Sequence, residues 1–210
     1  MTTTITPMRK VIAAQAEPPQ RWRFTVDEYE RMGAAGVFAP DARTELIAGE
    51  IFAVAAVGYL HAAHVMLLGK LLEHRFGDVA FVDTQNPLYL SKRSEPEPDV
   101  MVLQQRADSY LTGLPTAADV LLLVEVSDTT LDHDRRKKLP LYAHAGIPEV
   151  WILNLVDTCL ELYTEPVGGA YRTRRVAQRG ETVGLITLPG VTLAVDDVLP
   201  QPPADPTDPA

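Results

Sequence analysis

Val120-Leu121-Leu122-Leu123-Val124-Glu125-Val126 is apolar at both parities until it reaches Glu125. Side chains alternate between the faces of a strand, so a run without alternation reads as a central strand buried on both faces. A carboxylate near the end of such a run is out of place, because an unpaired buried charge is costly. Glu125 therefore needs a partner. Upstream, Pro98-Asp99-Val100-Met101-Val102-Leu103 is a second short apolar run, expected as a strand over 98–103 beside one over 119–126. By alternation Asp99, Met101 and Leu103 share one face, as do Leu121, Leu123 and Glu125. If the strands are neighbours, both carboxylates emerge on one side of the sheet.

The flanks fill in around this pair. Thr25 is placed to cap a helix through Asp27, Glu28, Tyr29 and Met32, ended near Gly33 and Gly36. Residues 43–57 read as a hairpin turning at Ala48-Gly49. His61, His64, Val65, Leu68 and Leu72 form one stripe of a helix over 61–76. Strands are expected near 79–83, 86–91, 149–154 and 158–164, with a short strand pair over 170–176 and 182–188. A helix over about 134–145 separates the central strand from the next; Asp134 is placed to cap it, and Pro140 is tolerated only near a helix start, so the helix begins late or bends there. Strands mixed with helices before and after the central pair indicate an α/β or α+β sheet core.

Composition sets outer limits. At 210 residues, 46% hydrophobic and 22% charged, the chain is sized and composed as one soluble domain over 21–199. A loose arm over 1–20 precedes it, and a proline-rich, disordered tail over 200–210 follows. The single cysteine, Cys159, excludes an internal disulfide and fits a reducing compartment. The apolar segment after Met8-Arg9-Lys10 is too short for a signal-peptide core, and no run is long enough to span a bilayer, so a cytoplasmic protein without a membrane partner is expected. The formal charge of −9 argues against a large sequence-independent DNA footprint. Three basic clusters remain: Arg21-Trp22-Arg23, Arg135-Arg136-Lys137-Lys138 and Arg172-Thr173-Arg174-Arg175. The second can favour a phosphodiester locally or be a solvated helix face.

Two carboxylates on neighbouring strands can hold a hard cation such as Mg²⁺, and a nearby lysine can stabilise charge on an attacking water or on phosphoryl oxygens. In the usual arrangement the lysine stands two residues after the glutamate; here that position is Ser127, and Lys138 is the candidate. Lys138 shares a helical face with Leu141, Tyr142 and Ala145, so its stem is expected along the core edge, while Lys137 is rotated about 100° away.

At these residues the chain resembles the Uma-type putative restriction endonucleases, a bacterial branch of the PD-(D/E)XK nuclease superfamily. The matching stretches are Thr44 to Ile51, Gln85-Asn86-Pro87-Leu88, Glu97-Pro98-Asp99-Val100, Leu123 to Ser127 and Asp134 to Asn154, in order across residues 24–199. The resemblance implies a restriction-endonuclease-like core, a mixed central sheet flanked by helices. It implies a Mg²⁺-dependent endonuclease (Mn²⁺ also plausible) acting on DNA and leaving a 5′-phosphate. Asp99, Glu125 and the carbonyl of Val126 would hold the metal, with the lysine migrated to the helix as Lys138 and Glu45 as the family's early glutamate. Gln85 matches a polar family position and His61 a frequent histidine. A homodimer stays open as the assembly.

Plainer readings stand beside these. Asp99 also suits a strand-opening turn after proline, and Glu45 an exposed hairpin position beside Arg43. Gln85 suits substrate or lysine orientation and ordinary hydrogen bonding equally. His61 and His64, three apart on a helix, lack a third ligand and make a weak zinc case. Two other functions compete: an inactive nucleic-acid or protein-interaction module on the same fold, and a metal phosphodiesterase acting on RNA or small nucleotides.

Overall fold

The computed structural model describes residues 20–54 and 58–199. The expected N-terminal arm (but for residue 20), the C-terminal tail and the last residues of the expected hairpin, 55–57, lie outside the described residues.

A mixed sheet forms around the quoted run. Its six strands are β3 (Ala80–Thr84), β4 (Val100–Gln104), β5 (Val120–Ser127), β6 (Glu149–Asn154), β7 (Cys159–Val167) and β8 (Ala170–Ala177), in that spatial order. All neighbours are antiparallel except β5 and β6, which run parallel. A parallel pair requires a crossover connection, and residues 128–148 supply it through α3 (Leu131–His133), a π-helical segment over Asp134–Lys138, and α4 (Leu139–Ala145).

Both faces of β5 are covered, as its sequence requires. On one face Val100, Val102, Leu122, Val124 and Trp151 pack under α2 (Tyr59–Phe76), which contributes Val65, Leu68, Leu72 and Phe76. On the other, Met101, Leu103, Leu123 and Ile152 pack under Tyr142 and Ile147. Each such fully buried side chain stabilises the fold by about 1.5–3 kcal/mol. Before the sheet come α1 (Val26–Ala34), started by a reciprocal cap between Thr25 and Glu28, and a separate hairpin of β1 (Arg43–Ile47) and β2 (Glu50–Val54). The hairpin turns at Ala48-Gly49, where both residues adopt positive φ. That is the geometry two-residue hairpins favour. After the sheet come β9 (Thr182–Gly184), β10 (Thr192–Ala194) and α5 (Val195–Val198).

Several expectations need correction. The segment 86–91 is no strand but a loop with single bridges, Tyr89 to Thr116 and Ser91 to Ser94, because Gln85 at φ 53° turns the chain out of extended geometry. The segment 182–188 does not pair with 170–176: β8 pairs with β7, and the shorter β9 pairs with β10. Leu121 does not share a face with Glu125. A bulge pairs Leu103 with Val120 after Val102 with Leu122, so parity reverses there. Leu121 packs toward the α2 side, Val120 joins the Leu123 side, and the Leu121 carbonyl accepts from Thr187 Oγ1 at 3.0 Å.

The helical crossover starts at Leu131, earlier than expected, and Asp134 is not its cap. Asp134 is buried inside it and accepts from Ser127 Oγ and Thr130 Oγ1, each at 2.7 Å. The irregularity expected from Pro140 takes the form of the π segment, in which the Leu139 amide donates to the Asp134 carbonyl. Pro140 has no amide to donate, and a wider turn before it absorbs the mismatch.

Candidate active site

The end of β5, the start of β4, the hairpin and the helical crossover meet in a cleft of 470 Å³. Glu125 lies at its base, 2% exposed. One carboxylate oxygen accepts from Tyr142 Oη at 2.5 Å, and Lys138 Nζ stands 3.2 and 3.3 Å from the two oxygens. Burial pushes the Glu125 carboxyl well above its ordinary range; the Lys138 charge pulls it back, and Asp134, Asp99 and Glu45 push it up again. This is the partner a carboxylate in an aliphatic strand requires, since removing either member would leave a buried uncompensated charge.

Lys138 is 6% exposed and reaches a second carboxylate, Glu45, at 2.8 Å. Burial alone would lower its pKa, but Glu125, Glu45 and Asp134 outweigh burial and raise it. Its ammonium therefore keeps its proton at neutral pH. Lys137, one residue earlier, is exposed.

Glu45 is 2% exposed, so the exposed-hairpin reading fails. Its Oε1 accepts from the Glu97 amide at 3.1 Å, and its Oε2 is buried without a hydrogen-bond partner. Asp99 sits one residue before β4. Its Oδ2 accepts from the Val126 amide at 2.9 Å and lies 3.0 Å from His61 Nε2, while Gln85 Nε2 donates to Oδ1 at 3.4 Å. The Asp99 carboxylate thus ties β4 to the end of β5. Burial lowers the His61 pKa, but the Asp99 hydrogen bond and charge overcome it and leave a net rise. His64 turns to the Leu60 carbonyl at 2.8 Å instead of joining His61.

Of the expected site residues, Glu45, His61, Asp99, Glu125 and Lys138 line the cleft, while Gln85 and Val126 join it through their hydrogen bonds to Asp99. Sequence reasoning missed Tyr142 as a partner of Glu125, and Glu97, Asp128 and Asp134 as further carboxylates of the cleft. Tyr142 had a signal: it falls four residues after Lys138 on the same helical stripe. Glu97 and Asp134 fall inside the stretches that carry the family resemblance and close to Asp99 and Lys138 in the chain; Asp128 had no signal beyond following Ser127. The basic residue Arg135 turns away from the site and pairs with buried Glu161.

The cleft carries six carboxylates, Glu45, Glu97, Asp99, Glu125, Asp128 and Asp134, against the fixed cations Arg43 and Lys138. Excess oxygen donors and the orphaned Glu45 Oε2 suit a hard cation. Among the described residues, however, no three His, Cys, Asp or Glu side chains stand together at ligand spacing. Glu125 spends its oxygens on Lys138 and Tyr142, and Asp99 Oδ2 on Val126 and His61.

The family model described as Putative restriction endonuclease, Uma2, matches residues 26–196. The chain belongs to this Uma2 family. The match runs from the start of α1 into the first turn of α5 and contains every residue of the cleft. Among solved structures, the crystal structure of a putative nuclease belonging to DUF820 from Anabaena variabilis is similar, with TM-score 0.66 and 13% identity over 84% of this chain and 97% of that one. At that identity the likeness is one of fold. No curated protein matches the chain. No helix among the described residues is long and apolar enough to cross a membrane. This Uma2 chain thus gathers the Asp99 carboxylate just before β4, the Glu125 carboxylate on β5, the Glu45 carboxylate of the hairpin and the Lys138 ammonium of the crossover at one end of the sheet.

Proposed function

We propose that this Uma2 protein is a Mg²⁺-dependent DNA endonuclease that hydrolyses phosphodiester bonds in the Asp99–Glu125–Lys138 cleft, with Mn²⁺ able to substitute. The observation that carries this reading is the buried Lys138 ammonium clamped between Glu45 and Glu125 beside Asp99. Asp99 and Glu125 would hold the cation, with Glu45 and the Val126 carbonyl as further donors. A bound divalent cation supplies a water of lowered pKa and neutralises charge on the phosphoryl oxygens.

The chain's own residues do the rest. Lys138, kept protonated by its carboxylate neighbours, donates toward the charge that develops on the phosphoryl oxygens. Tyr142 holds Glu125 in one orientation, and the Val126 amide, His61 and Gln85 hold Asp99. Glu45 positions Lys138. Binding a cation requires Glu125 to share oxygens now given wholly to Lys138 and Tyr142.

The test is plasmid nicking by purified protein in Mg²⁺, in Mn²⁺ and in EDTA, beside Asp99→Ala. Nicking in either metal, abolished by EDTA and reduced by about 10²-fold or more in the variant, is expected. Equal nicking by Asp99→Ala, or none by the unsubstituted protein in either metal, overturns the reading.

A further inference from the structure

A second groove adjoins the acidic cleft and has the opposite charge. It measures 620 Å³ and runs between the hairpin turn and the outer face of α4. Arg93, Arg136 and Lys137 line it, with His144 at the rim. Arg136 has a loose partner, Asp132 at 3.6 Å with both side chains largely exposed; among the described residues Arg93 and Lys137 have no ion-pair partner. The acidic lining residue, Glu50, is already paired with Arg23 at 2.7 Å. The floor is apolar, formed by Phe52, Leu90, Pro140 and Leu141.

The two cavities share Phe52, whose ring meets His133 with centroids 5.2 Å apart. Both lie between β2 and the helical crossover. The acidic cleft takes the Val54 end of β2 and the Thr130–Lys138 stretch; the basic groove takes the Glu50 end and Arg136–Ala145. Together they form one trough, acidic at one end and basic at the other.

We propose that the basic groove binds a single DNA strand continuous with the strand held at the acidic cleft. The assignment rests on the nuclease reading of that cleft. Charge complementarity selects the occupant: unpaired cations along a groove that leads into a phosphodiesterase cleft track a phosphate backbone. The apolar floor selects a single strand. Bases of a duplex are stacked and paired, whereas an unpaired base can lay its face on Phe52 and Leu141. The size agrees, since a cavity in the range of small-molecule pockets admits one strand and not a double helix. Lys137 and Lys138 then divide the work, one holding backbone outside the cleft and the other charge within it.

The test is fluorescence anisotropy of a labelled single-stranded oligodeoxynucleotide and a blunt duplex of the same sequence, titrated with full-length protein in EDTA so that no cleavage occurs. Arg93→Glu and Lys137→Glu should each weaken single-strand binding by about tenfold and reduce the salt slope by about 0.7. Arg172→Glu, an equal charge change on exposed β8, should leave binding unchanged. The proposal is overturned by absence of single-strand binding, by an equal effect of Arg172→Glu, or by an equal loss of duplex binding in the groove variants. Because binding is read without metal, the two readings separate. A protein that never nicks but loses strand binding in Arg93→Glu keeps the groove and loses the nuclease; one that nicks while Arg93→Glu binds normally does the reverse.

Discussion

Lys137 and Lys138 carry the same charge one residue apart, yet Lys138 is 6% exposed between two carboxylates while Lys137 faces solvent. Position alone should therefore separate them. Lys138→Ala is expected to lower single-turnover cleavage by about 10²-fold or more at saturating enzyme, with little change in substrate affinity. Lys137→Ala should change mainly a salt-sensitive binding step. A dead Lys137→Ala would place the functional lysine on the other face of the crossover. Glu95 offers a second residue-scale test, this time of stability. Burial, then the charges of Glu30 and Glu97, raise its carboxyl to about 7, and its Oε2 is buried without a partner. A folded pKa above the unfolded value means stability that is full below about pH 4.5 and lost as pH rises through 7. Glu95→Gln, neutral throughout, should gain on the parent by up to about 3 kcal/mol between pH 4.5 and 8. Urea unfolding at those two pH values checks it, and parallel curves would mean that the carboxylate is hydrated.

Among the elements, the hairpin is the part of the site most exposed to backbone error. Gly49 has φ +78°, and a Cβ there would stand 2.8 Å from Arg23 Cβ and 3.1 Å from the Phe24 carbonyl oxygen. Its own amide donates to the Arg93 carbonyl at 2.7 Å, and its carbonyl accepts from the Phe24 amide at 2.9 Å. This one turn residue ties the N-terminal segment and the loop before β4 to the strand that carries Glu45. Gly49→Ala should cost about 1–3 kcal/mol of stability and lower cleavage beyond what the lost stability explains, because Glu45 shifts against Lys138. Wild-type melting in that variant would show that the segment around Arg23 yields freely. The π segment is the other decisive element. It lets a chain with Pro140 remain helical while Lys138 and Tyr142 both point at Glu125.

For the whole molecule, a buried cluster beyond the candidate site joins the later strands to the crossover. Glu161 on β7 is fully buried, pairs with Arg135 and with Arg174 at 3.2 Å, and accepts from Tyr163 Oη at 2.5 Å and Asn154 Nδ2 at 2.9 Å. Burial would raise its pKa, but those hydrogen bonds and the Arg135 charge overcome it and bring it to about 2. A folded pKa below the unfolded value means stability present above about pH 4.5 and lost as pH falls toward 2. The parent should lose up to about 3 kcal/mol more than Glu161→Gln between pH 7 and pH 2.5, measured by urea unfolding at both. Equal acid losses would move the acid-sensitive group elsewhere. The same cluster explains why Arg135, adjacent in sequence to the groove cations, is withdrawn from the trough and serves β7.

Much of this was legible along the chain because the signals are local. The unalternating run 120–126, the helical stripe before residue 76, the Thr25–Glu28 cap and the Ala48-Gly49 turn depend on neighbours a few residues away. Asp99 and Glu125 could be paired because both sit at the ends of apolar runs, the helical register pointed to Lys138, and family resemblance carried Glu45 to them. Other features depend on contacts between distant segments. The strand order, the parallel pairing of β5 with β6, the bulge that turns Leu121 away from Glu125, and the grip of Tyr142 and His61 on the two carboxylates arise only when long loops close. The opposite charges of the two ends of the trough belong to that second class. Arg93, Lys137 and Phe52 are remote in sequence, and only packing of the hairpin against the crossover sets them along one groove. Sequence determined which segments could be strand, helix and turn; tertiary structure decided which charges are buried together, because that energy exists only between elements already in contact.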